Sequence, residues 1–121
     1  MLDDLLASEI KYLKGLYGAV ARTTGSSGKT LVRLTTAKLP PGCQPEATPV
    51  LLAWQPGQTR PEMYVAPGVR CPNGASPRST STVFIEGEVW LQFSYTFPWE
   101  PSRHSLVQFV EGGLRRFAKH E

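Results

Sequence analysis

Cys71 is the residue of this chain best placed to do covalent chemistry. It directly precedes a Pro72-Asn73 turn and directly follows Arg70. A thiolate is a strong nucleophile, and adjacent positive charge lowers a thiol pKa and raises its thiolate fraction. The same position also fits a small buried residue closing a strand. A second cysteine, Cys43, sits in a Pro-Pro-Gly-Cys turn and is read as incidental to the chemistry. The two histidines, His104 and His120, both lie near the C-terminus, far from either cysteine in sequence and without a G-x-S-x-G elbow. His104 is read as a partly exposed surface residue in the first turn of the last helix, with a role as base left open. Neither cysteine belongs to a C-x-x-C or Cys/His cluster, so no metal site and no cofactor is expected.

Composition bounds the rest. A chain of 121 residues, 40% hydrophobic and 19% charged, is expected to fold as one globular domain with a modest core. Its formal charge of +3 is spread along the chain rather than clustered, which argues against nucleic-acid binding. No apolar segment approaches the roughly 20 residues needed to cross a bilayer. The start, Met1-Leu2-Asp3-Asp4, is acidic where a signal peptide would be basic. These features lead to the expectation of a cytoplasmic protein with no membrane partner, its cysteines held as thiols in a reducing compartment.

The elements that would position Cys71 read as follows. Leu2, Leu5, Leu6, Ile10, Leu13, Leu16, Tyr17 and Val20 recur at three- and four-residue steps, the stripe of an amphipathic helix. Asp3 is its expected N-cap, and Gly25-Ser26-Ser27-Gly28 is expected to end it after Arg22. Lys11 and Lys14 lie on its polar face beside Glu9, either as a simple solvated face or as a docking surface for an acidic partner.

Strands are expected at Leu31 to Thr36, Pro49 to Trp54 and Glu62 to Ala66, joined by short turns that allow only an antiparallel meander. Pro49 to Trp54 is apolar on both faces, as a central strand covered on each side would be. Gly74 to Thr82 reads as a loop. Val83-Phe84-Ile85 and Val89 to Phe93 form either a strand pair around Glu86-Gly87-Glu88 or one irregular strand. Ser102 is the expected cap of a closing helix with Leu106, Val110, Gly113, Leu114 and Phe117 on its apolar stripe, and Gly112 and Gly113 weaken it by roughly 1 kcal/mol each relative to alanine. The fold class is therefore α+β: N-terminal helix, antiparallel meander, long irregular loop, C-terminal helix.

Gly25-Ser26-Ser27-Gly28-Lys29-Thr30 invites comparison with a phosphate-binding loop, but Thr23 stands where the first glycine is required and no helix is expected to follow. A plain turn is the better reading. The aromatics Trp54, Tyr64, Trp90, Phe93, Tyr95, Phe97 and Trp99 are read as core rather than as a ligand cage.

In order and spacing the chain resembles the ubiquitin-conjugating (UBC-like) superfamily, including its bacterial variants. Pro61 opens a strand, and ten residues later Cys71-Pro72-Asn73 stands where that family has His-Pro-Asn. Gly87-Glu88-Val89-Trp90-Leu91 resembles its Gly-x-Ile-Cys-Leu element, with Trp90 in place of the catalytic cysteine, and Trp99-Glu100-Pro101-Ser102 matches its Trp-x-Pro helix start. The resemblance covers nearly the whole chain, though each motif is short. It implies a ubiquitin-conjugating-like protein that takes a ubiquitin-like modifier from an adenylating enzyme as a thioester and passes it to a target amine, in bacterial systems that include antiviral defence.

In that reading Cys71 is the relocated nucleophile and Asn73 either stabilises the oxyanion or holds the adjacent loop. Lys11 and Lys14 engage the adenylating enzyme. Ser79 and Ser81, near the family's usual cysteine offset, are alternative nucleophiles that lack an adjacent base. The alternative implied by the missing cysteine is a non-catalytic UBC-like binding module for a modifier or partner enzyme.

Overall fold

The computed structural model describes residues 2–72, 74, 80–93 and 99–118. In chain order they form α1 (Leu2–Tyr17), β1 (Val20–Thr24), β2 (Thr30–Lys38), β3 (Ala47–Trp54), β4 (Glu62–Val65), β5 (Thr80–Ile85), β6 (Glu88–Phe93), α2 (Leu106–Leu114) and a closing 3-10 turn, Arg115–Ala118. The class is α+β, with a helix at each end of a six-stranded antiparallel open sheet ordered β1-β2-β3-β4-β6-β5.

The helical stripe of α1 buries Leu2, Leu6, Leu13 and Tyr17. The helix stops at Tyr17 rather than running to Val20, because Gly18 takes φ +78° and its N–H caps the Lys14 carbonyl at 3.1 Å. Val20 then opens a strand whose apolar spacing happens to continue that of the helix. Gly25-Ser26-Ser27-Gly28 is consequently the β1–β2 hairpin turn, not a helix end, with Gly28 at φ +86°. Strands flank it on both sides, so it is not a phosphate cradle.

Asp3 is not an N-cap either. The helix already includes Leu2, and the Asp3 Oδ1 instead accepts from Trp54 Nε1 (3.2 Å), Thr30 Oγ1 (3.2 Å) and Arg22 Nη2 (3.0 Å), tying α1 to β1, β2 and β3.

The meander runs as its sequence spacing predicts, one strand longer at its start. A bulge interrupts β2 where Thr35 and Thr36 oppose Pro49, a residue with no N–H to give the ladder. Alternation splits the buried residues between two faces. Val32, Leu34, Val50, Leu52, Met63 and Val65 pack under both helices. Leu31, Leu51, Ala53 and Tyr64 point the other way and pack with Trp90, Val83 and Ile85 of the β5–β6 hairpin.

That hairpin turns through Glu86 and Gly87, both at positive φ as a tight two-residue loop requires. Among the described residues it meets β4 through Tyr64 with Gln92 and Val65 with Leu91, and its turn end folds back across the sheet. Glu86 there accepts from Ser26 Oγ at 3.1 Å, and Glu88 pairs with Arg33 of β2. The central strand is thus covered on both faces, with helices on one side and the chain's own hairpin on the other.

Before α2, Trp99 donates its indole N–H to the Ser105 carbonyl at 2.7 Å and meets the Phe109 ring edge-on at 5.3 Å. The N-cap is Ser105, not Ser102. Its hydroxyl accepts the Gln108 N–H while the Gln108 side chain accepts the Ser105 N–H, a reciprocal capping box. Gly113 is buried in the packed face.

Candidate functional site

Cys71 follows β4 in a segment that runs beside loop 40–44. Gln44 and Arg70 form an antiparallel bridge and exchange both backbone hydrogen bonds, at 3.1 and 2.7 Å. Chain alternation puts the Gln44 and Arg70 side chains outside and the adjoining Cys43 and Cys71 inside. Cys71 is 2% exposed and Cys43 3%, both in the cluster beneath the helices. Both are thiols; no disulfide joins them.

This placement differs from an open catalytic cleft. The Arg70 guanidinium lies on the solvent side, donating to the Val69 carbonyl at 3.0 Å, while the Cys71 side chain points into the core. Cys43 donates a weak bond to the Phe117 carbonyl at 3.5 Å, and burial, with a smaller contribution from neighbouring Cys71, pushes its thiol pKa up. A raised pKa leaves less thiolate at neutral pH, the reverse of an activated nucleophile. After Cys71 the chain turns back, with the Gly74 N–H on the Cys71 carbonyl at 2.8 Å. Asn73 lies outside the described residues, as do Ser79, Tyr95, Phe97 and His120.

The alternative nucleophile Ser81 is exposed on the outer strand β5, opposite Gln92. Trp90, at the position of the family's cysteine, is 3% exposed in the second cluster, with the Arg33 guanidinium 5.3 Å above its ring. His104 precedes α2 rather than lying in it. Its Nδ1 accepts the Glu100 N–H at 3.0 Å, which commits that nitrogen to a local turn. Trp54, Tyr64 and Trp90 on strands and Trp99 before α2 are core residues.

Lys11 and Lys14 are exposed on α1. They are joined on the solvent side of the helix by Tyr12, 64% exposed, and Leu16, 50% exposed. Leu16 belongs to the apolar stripe by spacing, yet the helix turns it to solvent. Tyr12 and Leu16 are four apart and therefore neighbours on the helix surface; Lys11 lies roughly a quarter-turn from Tyr12, and Lys14 lies on the far flank. The signal for this patch is present in the sequence as an apolar pair at i, i+4, but spacing alone does not say which apolar residues face out.

Between the curled hairpin and the sheet lies a cavity of about 340 Å³ floored by Leu31, Leu51 and Trp90, with the Arg33–Glu88 ion pair at its edge. Among the described residues, no group of three or more His, Cys, Asp or Glu side chains could hold a metal ion, and no helix is long and apolar enough to cross a membrane.

The fold and surface define an α+β chain with a buried cysteine pair and a mixed apolar and basic helix face. No family model, curated protein or solved structure matches it.

Proposed function

We propose that this chain is a UBC-like binding module that docks a protein partner through the exposed face of α1, without carrying a thioester itself. The observation that carries the reading is the exposed side of α1, on which Tyr12 and Leu16 stand in solvent as neighbours while Lys11 and Lys14 are exposed further round the helix. An exposed aromatic and leucine with cations further round the same helix suit a partner surface that joins an apolar patch to an acidic one. Support for the UBC-like assignment comes from the order of elements: first helix, meander, Cys-Pro turn, then a Trp-x-Pro segment leading to a last helix. By that resemblance the partner is a ubiquitin-activating-type adenylating enzyme or its ubiquitin-like modifier.

The conjugating-enzyme reading asks more of Cys71 than its burial favours. An acyl carbonyl must reach the sulfur along an open trajectory, and an amine must then reach the thioester. With the side chain 2% exposed, that access requires segment 69–72 to separate from loop 40–44.

The test is to mix the purified chain with its cognate adenylating enzyme, modifier and ATP. The expected result is stable association with no thiol-sensitive adduct, unchanged by Cys71→Ser. Lys11→Glu with Lys14→Glu weakens association on the order of tenfold or more at low salt, and less at high salt. A reducible adduct that disappears in Cys71→Ala restores the conjugating reading; association indifferent to both lysines removes the docking face.

A further inference from the structure

The two buried cysteines lie on backbone segments that run side by side, and their position is bracketed by a contact on each side. Gln44 and Arg70 exchange both of their backbone hydrogen bonds. Carried one step further, that register sets Cys43 opposite Cys71 as a non-hydrogen-bonded pair, the kind in which opposing Cα atoms approach to about 4.5 Å and side chains come closest. One step further, a Cβ built on Gly42 would lie 3.0 Å from the Pro72 Cβ, so the segments still run side by side there. Directly opposed residues project to the same face, and both cysteines are buried while both flanking residues are exposed. A Cα separation of roughly 4.4–6.8 Å is what a disulfide needs, and a non-hydrogen-bonded antiparallel pair supplies it.

We propose that Cys43 and Cys71 are a redox pair that closes to an intramolecular disulfide on meeting a low-molecular-weight disulfide, stapling loop 40–44 to segment 69–72. One cysteine thiolate attacks a sulfur of the small disulfide, which expels one small thiol and leaves a mixed disulfide on the protein. The other cysteine attacks the protein sulfur of that bond and expels the second small thiol. Between them the two cysteines give up two protons and two electrons, and the small disulfide takes up both. Closure also removes the Sγ–H that Cys43 now donates to the Phe117 carbonyl, so the staple forms at the expense of the tie to the closing 3-10 turn. Burial of both sulfurs makes the reaction depend on opening of this segment, which favours a slow response to sustained oxidation over a rapid one. The proposal does not depend on the docking face of α1.

The full chain, unfolded in denaturant, is refolded in buffers of graded oxidised-to-reduced glutathione ratio, acid-quenched and peptide-mapped without reductant. Refolding gives the thiols access to the oxidant whatever their burial in the native state. Expected is one linked peptide joining Cys43 to Cys71, a far-ultraviolet spectrum matching the reduced chain, and a thermal midpoint raised by several degrees that reductant returns to its starting value. Cys43→Ser and Cys71→Ser each leave the remaining cysteine as a glutathione adduct or a thiol. The proposal is overturned by a native spectrum with both thiols unbridged at every ratio. Bridging only between chains, or a bridged chain that has lost the native spectrum, overturns it equally.

Discussion

The carboxylate of Glu9, midway along α1, accepts the backbone N–H of Leu106 with both oxygens, at 3.1 and 3.0 Å. Leu106 is the first residue of α2, so a side chain from one helix neutralises an unpaired donor at the positive end of the other. Removing it in Glu9→Ala is expected to cost about 1–2 kcal/mol of stability. Glu9→Gln, which keeps one acceptor oxygen but loses the charge, is expected to cost less. Urea denaturation of the three proteins checks the order; equal midpoints would show that water replaces the contact at no cost.

The two helices are also tied by Tyr17, whose hydroxyl donates to Glu111 Oε2 at 2.6 Å. Burial and the adjacent carboxylate push the Tyr17 pKa above its ordinary value of 10.0, and burial with Glu62 does the same for Tyr64. Above pH 10 the unfolded chain loses these protons while the folded chain keeps them, so stability is full below that pH and falls as pH rises beyond it. Tyr17→Phe is expected to be less stable at neutral pH by about 1.5–3 kcal/mol, the range for hydrogen bonds to charged groups. It is also expected to show a shallower alkaline decline. Parallel slopes in thermal unfolding from pH 8 to 11 would show that Tyr17 titrates alike in both states.

At the end of α1, Gly18 holds φ +78°, and a Cβ there would meet Thr35 Cβ at 3.4 Å. Contact at that distance is ordinary, so the cost of Gly18→Ala comes from the backbone, about 1–2 kcal/mol for an L-residue in the left-handed region. Gly15→Ala in the same helix meets nothing within 4 Å and is expected to gain about 1 kcal/mol. Opposite signs in the two thermal midpoints are the expected result.

On the outer face of α1, Tyr12→Ser with Leu16→Ser is expected to leave stability within about 0.5 kcal/mol, apart from helix propensity, because both side chains already stand in solvent. The same pair of changes is expected to abolish partner association. A large loss of stability would instead place these residues in an intramolecular contact.

Much of the fold is legible in the sequence because its signals are local. Leu2, Leu6, Leu13 and Tyr17 fall on one helical face by spacing alone, and Pro49 to Trp54 reads as a central strand because it is apolar on both sides. Strand β1 is hidden because Val20 continues the three- and four-residue rhythm past Gly18, where backbone conformation rather than hydropathy ends the helix. The Ser105-x-x-Gln108 box is legible as a capping pattern, yet Ser102 stands earlier beside Trp-x-Pro and draws the cap three residues too soon.

Cys71 illustrates the limit for the site. Its neighbours in sequence, Arg70 and Pro72, suggest an exposed and activated thiol. Its burial depends on loop 40–44, far away in the chain, and no local pattern around Cys71 encodes that pairing. The reach of Glu86 and Glu88 back to Ser26 and Arg33 is equally non-local, since it follows from how briefly β6 stays beside β4.

Among the described residues, the outermost strands of the sheet, β1 and β5, each leave one side of the ladder without a strand partner. An unprotected border of this kind is where identical chains stack into fibres. Here the β1 border is short, with four of its five residues exposed and Arg22 at its centre held by Asp3, and β5 presents Ser81 and Thr82 to solvent. Lateral growth on the β1 border would have to bury a guanidinium, whereas β5 sets the exposed Phe84 ring beside its hydroxyls and is the more adhesive border of the two.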